Sequence, residues 1–530
     1  MVSLEKIAKK VVEIPVLLLF LCITLAGAFC SGYLQDGYGQ KLFFVRDSLL
    51  LNLAFAALFT GIIRGLTEWV CKNYEKRIRW LVAAVLGFTF CISLGFAAVS
   101  KCFPTADQAS VYYGAKHFAA DYFGDLAEKA SYFSCYPHQM GLALFYEVLF
   151  RLFHTESFHL LQGVNALCNV MTVWSLWQIT MRLSGSRKAG VSALLLSALC
   201  MPLLWYTPFV YGELPSFAFS LFGFAMLLIA LGAKKKRSSL LFASLSLVSL
   251  VLATLVRKNT LILIIAVVLT LGIYVLRTKK YSYFFYLGLL VLLCSQAIPF
   301  AIRLYEIRSG VRLNDGVPGI SHAVMGLQES EYAPGWYNGF NFTTYAYEAD
   351  YDQEEAVRLS RLALEERLAV FRKNPAYTAR FFWDKFRAEW LNTGYACYDY
   401  TAGKYYTRLP FVESLFSGRL FYITRFYMDK YQFMVYLLAL LTVSAFLNNK
   451  KKEAAGIAEK KAEEENTDYG ILRHTLLATI LGGALFYLVW EGSGRYILPY
   501  FLMTLPYAGM AIAKLPLPKR KAGKITSELE

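Results

Sequence analysis

Charge is scarce in this sequence: only 17% of its 530 residues are Asp, Glu, Lys or Arg, against about a quarter in an ordinary soluble protein. That shortage argues against a large water-soluble enzyme. Histidine is scarcer still, with six residues. The ten cysteines contain no CxxC pair and no Cys/His cluster, so nothing has the spacing of a zinc site. No Gly-rich phosphate loop and no Ser/His/Asp signature is present. Acid is in deficit, 38 residues against 54 Lys and Arg, for a net charge of +16. In a soluble chain that excess would suggest nucleic acid. In a membrane chain Lys and Arg collect in cytoplasmic loops, so no nucleic-acid partner is expected.

What the sequence has instead is apolar length. Hydrophobic residues make up 57% and aromatic residues 16%. Apolar runs recur at Val12–Ser31, Leu42–Ile63, Trp80–Ser100, Phe158–Met181, Ala189–Pro208, Glu213–Leu231, Leu240–Leu255, Thr260–Leu276, Tyr283–Ala301, Tyr431–Leu447, Leu472–Trp490 and Tyr496–Ile512. Most are long enough to cross roughly 30 Å of hydrocarbon. The expected fold is an all-α polytopic membrane protein with about twelve crossings. The first run follows Lys6, Lys9 and Lys10 and ends at Phe29-Cys30 without a small-residue cleavage site, so it reads as an uncleaved first span. Met140–Phe153 is apolar but short, which suits an interfacial or re-entrant helix.

Charge parity supports that choice. With Met140–Phe153 not crossing, the basic groups at Arg77 and Arg79, Arg182 to Lys188, Lys234 to Arg237, Arg277 to Lys280, Lys450 to Lys452 and Lys519 to Lys521 all fall on the cytoplasmic side. Both termini fall there too. The expected parts are two additional N-terminal spans (1–78) and a transmembrane module (79–302) with a first outer loop at 101–139. An extracytoplasmic loop domain (303–430) follows, then C-terminal spans (431–515) with a cytoplasmic linker at 448–468, and a cytoplasmic tail (516–530). The 303–430 segment holds sixteen acids and sixteen bases, so the basic excess lies elsewhere. Within it Gln353–Arg372 reads as a helix with Leu364, Leu368 and Phe371 on one face. Asn374-Pro375 reads as the cap and first residue of another helix running to Trp390. Cys102 and Cys135 share the first outer loop; a disulfide is open to them, and two free thiols are the expectation. Arg46-Asp47, near the outer end of the second span, could simply pair with each other.

The residues suited to chemistry all fall on the outer side. Asp107 follows the end of a span, at the depth of a lipid headgroup. It reads as a base for an acceptor hydroxyl, as a ligand holding Mg2+ or Mn2+ against phosphate, or as a solvated acid capping a helix. Glu213 opens a span directly after Tyr211-Gly212; it is either a second functional carboxylate or an acid favoured by the helix dipole. Arg257-Lys258 is a basic pair on the side where basic residues are otherwise avoided, suiting a phosphate partner or a tight hairpin with snorkelling side chains. Glu491-Gly-Ser-Gly-Arg495-Tyr496 joins the last two spans. Its Arg is able to fork onto phosphate or to pair with Glu491. Tyr136-Pro-His138-Gln adds polar groups on the same face.

These pieces, taken in order, resemble the GT-C glycosyltransferases. The likeness is to family 39 and its relatives, the protein O-mannosyltransferases and the lipid A aminoarabinose transferase. The resembling elements are Asp107-Gln108 through Tyr112 and Gly124-Asp125, Tyr136-Pro-His-Gln-Met-Gly-Leu, Tyr211-Gly-Glu213, the long loop before the last spans, and Gly494-Arg-Tyr-Ile-Leu-Pro. The resemblance implies a base of seven spans, matching Trp80 to Ala301 when Met140–Phe153 does not cross. It implies a polyprenyl-phosphate sugar donor and an extracytoplasmic glycan, lipid or protein acceptor. It casts Asp107 and Glu213 as the catalytic or metal-holding acids. Arg257, Lys258, Arg495 and Tyr496 would bind the donor phosphate, and Gln108, Tyr136, His138 and Tyr211 the substrate. Relatives often pair two acids in the first loop, where this chain has Asp107-Gln108. The competing classes are a transporter or lipid flippase, a ligase or polymerase acting on lipid-linked oligosaccharides, and a non-catalytic scaffold.

Overall fold

Apolar helices dominate the computed structural model, which describes residues 2–34, 41–404, 406–454 and 469–515. The chain is an all-α polytopic membrane protein. Most of the expected cytoplasmic linker, and the tail at 516–530, lie outside the described residues. Among the described residues, eight helices are long and apolar enough to cross a membrane. A ninth crossing is available if Gly494–Leu502 and Leu505–Lys514, bent by 41°, act as one span. The three other expected crossings are also helical. Phe158–Ser184 is interrupted by buried Gln162, Asn165 and Asn169. The expected Ala189–Pro208 run is broken into Arg187–Ala198 and Met201–Trp205, with Pro202 at the restart. His474–Val489 has only 16 residues.

The N-terminal part departs from expectation. The first helix ends at Gly27, and Cys30–Leu34 pairs antiparallel with Leu42–Arg46. The second span is therefore Leu49–Lys72 rather than Leu42–Ile63, started by the Ser48 hydroxyl accepting from Leu51 N. Alternating Leu42, Phe43, Phe44 and Val45 finds a strand partner, and β-branched and aromatic residues suit that pleat. Arg46 does not pair with Asp47. Asp47 instead meets the buried Lys430, which also contacts Asp429 at 2.9 Å, and it accepts from Asn52 Nδ2 at 2.8 Å.

Met140–Phe153 has 14 residues, about 21 Å at ~1.5 Å per residue, too short to cross. Its buried Glu147 accepts from Tyr305 Oη at 2.6 Å, Arg151 Nε at 2.8 Å and Arg308 Nη1 at 2.9 Å. Both arginines also reach Asp121. This network ties the short helix to helix Ala106–Ala119 of the first loop and to the end of Ser282–Ser309.

The long segment after Ser309 contains helices Gln353–Lys373 and Pro375–Trp390, the latter capped by Asn374 Oδ1 accepting from Tyr377 N at 3.1 Å. Leu364 and Phe371 pack with Leu327 and Phe381, while Leu368 stays exposed. The segment is bound to the spans at several places. Gly32 N donates to Leu391 O at 2.8 Å. Arg408 donates to Ser100 O and to Thr401 O. Cys102 and Cys135 are both free thiols, Cys102 donating to Thr401 O at 2.9 Å.

Lys430→Met leaves Asp47 and Asp429 buried beside each other without their cation. It should cost ~3–5 kcal/mol, as broken buried pairs do, read as a drop in thermal stability of the detergent-solubilised protein.

Candidate active site

The site is assembled where broken helices turn. Residues 206–212 form a buried turn between Met201–Trp205 and Glu213–Leu231. Its carbonyls would be costly to bury unpaired. Asn165 Nδ2 meets two of them, Thr207 O at 3.0 Å and Phe209 O at 2.9 Å. Asn169 Nδ2 bridges Ser93 Oγ and Thr207 Oγ1. The polar residues inside Phe158–Ser184 are thus supports for the turn. Gly212 has φ +84°, and a Cβ there would lie 2.9 Å from Val256 and 3.0 Å from Leu142; glycine lets the turn adopt this conformation and close on both side chains.

Gln108 is buried, and its Oε1 accepts from Val210 N. This residue, expected at the substrate, fastens helix Ala106–Ala119 to the turn. Asp107, in the first turn of that helix, keeps its carboxylate reachable by solvent within a recess walled by protein. Tyr211 Oη donates to Asp107 Oδ2 at 3.3 Å. The same Oη lies 2.7 Å from Tyr132 Oη and accepts from Gln139 Nε2 at 2.9 Å. Crowding by protein pushes the Asp107 pKa above the usual carboxylate range, opposed by the charge of Arg495 and the Tyr211 hydrogen bond.

Glu213, 2% exposed, is the hub of the other half. Arg257 Nη2 donates to its Oε1 at 2.6 Å, and Arg495 Nη1 lies 4.0 Å from the same oxygen. Its Oε2 is buried with no hydrogen-bond partner. The two guanidiniums share the face of Tyr211, at 5.1 Å and 5.4 Å from its ring centroid. Arg495 also stacks on Tyr400 at 4.6 Å and Tyr496 at 5.0 Å. Asp107, Tyr211, Glu213, Arg257, Arg495 and Tyr496, taken from four distant stretches of sequence, are thereby one connected constellation.

A narrow groove, about 50 Å³ in cavity volume, opens from this head into the transmembrane region. Its upper wall is Glu213, Arg257, Asn259, Tyr487, Arg495 and Tyr496, and its deeper wall includes Phe217, Leu221, Leu263, Pro499 and Met503. Lys258 is exposed and does not line the groove; its neighbour Asn259 does, donating to Tyr487 Oη. Tyr136 packs on Tyr132 with ring centroids 5.2 Å apart, beside Asp107. The His138 imidazole is pushed below its ordinary pKa by the surrounding protein and by His322, Lys258 and Arg257; it is a neutral group at the rim. Gln139 belongs to the Tyr136-Pro-His-Gln motif already singled out, whereas Tyr132, Asn259, Tyr400 and Tyr487 join the site without having carried a sequence signal, being common residue types in unremarkable local sequence.

The donor set does not fit a resident divalent cation. Among the described residues no group of three or more His, Cys, Asp or Glu side chains converges. Glu213, one of the two expected ligands, is already committed to two guanidiniums, whose charge opposes a cation.

The fold and site together define a multi-pass membrane protein with a cation-headed, apolar-walled groove. The sequence belongs to the family described as conserved hypothetical integral membrane proteins, whose family model matches residues 4–448; the match ends before the Arg495 turn. Comparison with the curated proteins finds no match. Among solved structures the chain is similar to ArnT from Cupriavidus metallidurans bound to undecaprenyl phosphate, at 13% identity and a TM-score of 0.33, covering 82% of this chain and 77% of that one.

Tyr211→Phe removes the hydroxyl shared by Asp107, Tyr132 and Gln139. It should destabilise the protein by ~1–3 kcal/mol through the partners left unpaired, measured by thermal unfolding in detergent.

Proposed function

We propose that this protein is an inverting membrane glycosyltransferase that moves a sugar from a polyprenyl-phosphate carrier to an acceptor on the side of the membrane away from the basic loops. One observation carries the reading. Two largely buried guanidiniums, Arg257 at 15% and Arg495 at 11% side-chain exposure, converge at the head of an apolar groove. That combination suits a phosphate on a long hydrocarbon chain, with the guanidiniums meeting the anion and the groove taking the first isoprenoid units. The motif order that resembles family 39 transferases points the same way.

In this reading the acceptor hydroxyl attacks the anomeric carbon from the face opposite the phosphate. Asp107 takes the hydroxyl proton as the new C–O bond forms. The bond between the anomeric carbon and the phosphate oxygen breaks, and its electron pair stays on the phosphate. Arg257 and Arg495 stabilise the charge developing there in a site shielded from water. Glu213 holds the two arginines near each other, and the Tyr211 hydroxyl orients Asp107. No step runs through a metal.

A transporter would more typically bind its cargo at charged residues near the bilayer midplane, whereas these charges cluster at helix ends. A ligase acting on lipid-linked oligosaccharides would share the phosphate-binding arginines and is separated from this reading by donor size.

Purified protein given a panel of radiolabelled polyprenyl-phosphate monosaccharides and a cell-envelope acceptor fraction should transfer label, and Asp107→Asn should abolish transfer in a protein that remains folded. Full activity in folded Asp107→Asn removes the base assignment. The base must be ionised, and its pKa is raised. The rate should therefore fall as pH drops, at a higher pH than the ~3.9 of a free Asp side chain would give. EDTA should leave the rate unchanged. Arg257→Ala should raise the donor KM by ~10–100-fold, the range for one lost charge-assisted bond.

A further inference from the structure

The turn that delivers Arg495 is held from outside the membrane module. Residues 490–493 form no regular helix, and three of their backbone groups bond to the long loop segment. Glu491 N donates to His322 O at 3.2 Å, and Gly492 N donates to Gly335 O at 2.8 Å. Trp490 O accepts from Lys385 Nζ at 2.7 Å, and the same ammonium donates to Gly326 O at 2.6 Å. Lys385 lies on helix Pro375–Trp390 and is 0% exposed. It thus joins three stretches that are far apart in sequence: its own helix, the end of helix Gly319–Gly326, and the Arg495 turn.

One helical turn on, Glu389 is 2% exposed and its Oε1 has no hydrogen-bond partner. It faces Gly492 so closely that a Cβ there would lie 2.3 Å from Oε1. Burying an ammonium and a carboxylate at this depth is costly. Burial lowers the Lys385 pKa and raises that of Glu389. A surface connector would not need such groups. What they touch is the backbone three to five residues ahead of Arg495.

We infer that Lys385 is a positioning residue for Arg495: by clamping Trp490 O it fixes the 490–493 turn and so sets the guanidinium at the head of the groove. The inference rests on the lipid-phosphate reading of the site and extends it, because it makes the long loop segment part of the donor-binding machinery. Lys385 itself touches neither phosphate nor sugar. Glu389 closes the other side of the turn.

The test is a double-mutant cycle read by two methods. The first is binding of farnesyl phosphate to the full-length protein in micelles, with farnesol and inorganic phosphate as controls. The second is amide hydrogen exchange of peptides covering 488–498. Arg495→Ala should weaken farnesyl phosphate binding ~10-fold or more, and Lys385→Met by ~5–10-fold. The double variant should bind no more weakly than Arg495→Ala alone, since coupled residues are not additive. Lys385→Met should speed exchange across 490–495 and leave the transmembrane peptides protected.

If Lys385→Met fails to fold, Gly492→Ala displaces the same turn against Glu389 and should give the same binding loss and local exchange. Wild-type binding and exchange in a folded Lys385→Met protein, or additive losses in the double variant, overturn the inference. If instead Arg257→Ala and Arg495→Ala both bind farnesyl phosphate like the wild type while Lys385→Met still frees the 490–495 amides, the lipid-phosphate reading falls and the anchoring of the turn by Lys385 stands.

Discussion

Everything around the groove depends on how two like charges are kept together in a buried place. Arg257 and Arg495 come from turns more than two hundred residues apart, yet both approach one carboxylate oxygen of Glu213. Like charges about 4 Å apart repel by on the order of 4 kcal/mol at an effective dielectric near 20. Without an acid between them the arginines would separate or draw in water. With Glu213 in place the trio keeps one net positive charge, and tyrosine faces take up the rest of the guanidinium surface. In the proposed function that leftover charge, at the mouth of an apolar groove, is what would attract an amphiphilic anion.

The constraint spreads outward. Glu213 has to begin its helix where Gly212 lets the backbone close on Val256 and Leu142. That turn has to be supplied with donors, which Asn165 and Asn169 provide from a neighbouring helix. Those asparagines make Phe158–Ser184 more polar than a free-standing span would tolerate. The helix is usable because its polar face is turned inward, where every Asn donor meets a carbonyl or hydroxyl. Asp107 is joined to the constellation by Gln108 and Tyr211, one residue gripping the turn's backbone and the other its neighbour's carboxylate.

The same logic explains the helix that stays at the membrane surface. Met140–Phe153 is apolar enough to be mistaken for a crossing. It carries Glu147, whose buried carboxylate is met by Arg151 one turn along the same helix and by Tyr305 and Arg308 at the end of another. Shifting the short helix into the hydrocarbon would strip that carboxylate of its partners, an expensive exchange.

The sequence by itself determined the membrane class, the approximate place of each apolar helix, the non-crossing status of Met140–Phe153 and the helices on either side of Asn374. These follow from composition, run length and charge parity, which are local or additive quantities. It also singled out Asp107, Glu213, Arg257 and Arg495, because charge beside an apolar run is conspicuous. Tertiary structure alone decided that Leu42–Arg46 is a strand, that Asp47 belongs to Lys430, that Gln108 is a fastener and that Lys258 stands outside the groove. It also decided that Tyr400 stacks on Arg495, that Tyr487 accepts from Asn259 and that Lys385 donates to Trp490 O. Each of these depends on which distant segment fills the space beside a residue, and a tyrosine or lysine in a loop gives no local sign of its neighbour. Burial raises the cost of an unpaired polar group by several kcal/mol, and that cost, incurred only once the helices pack, selects the partners.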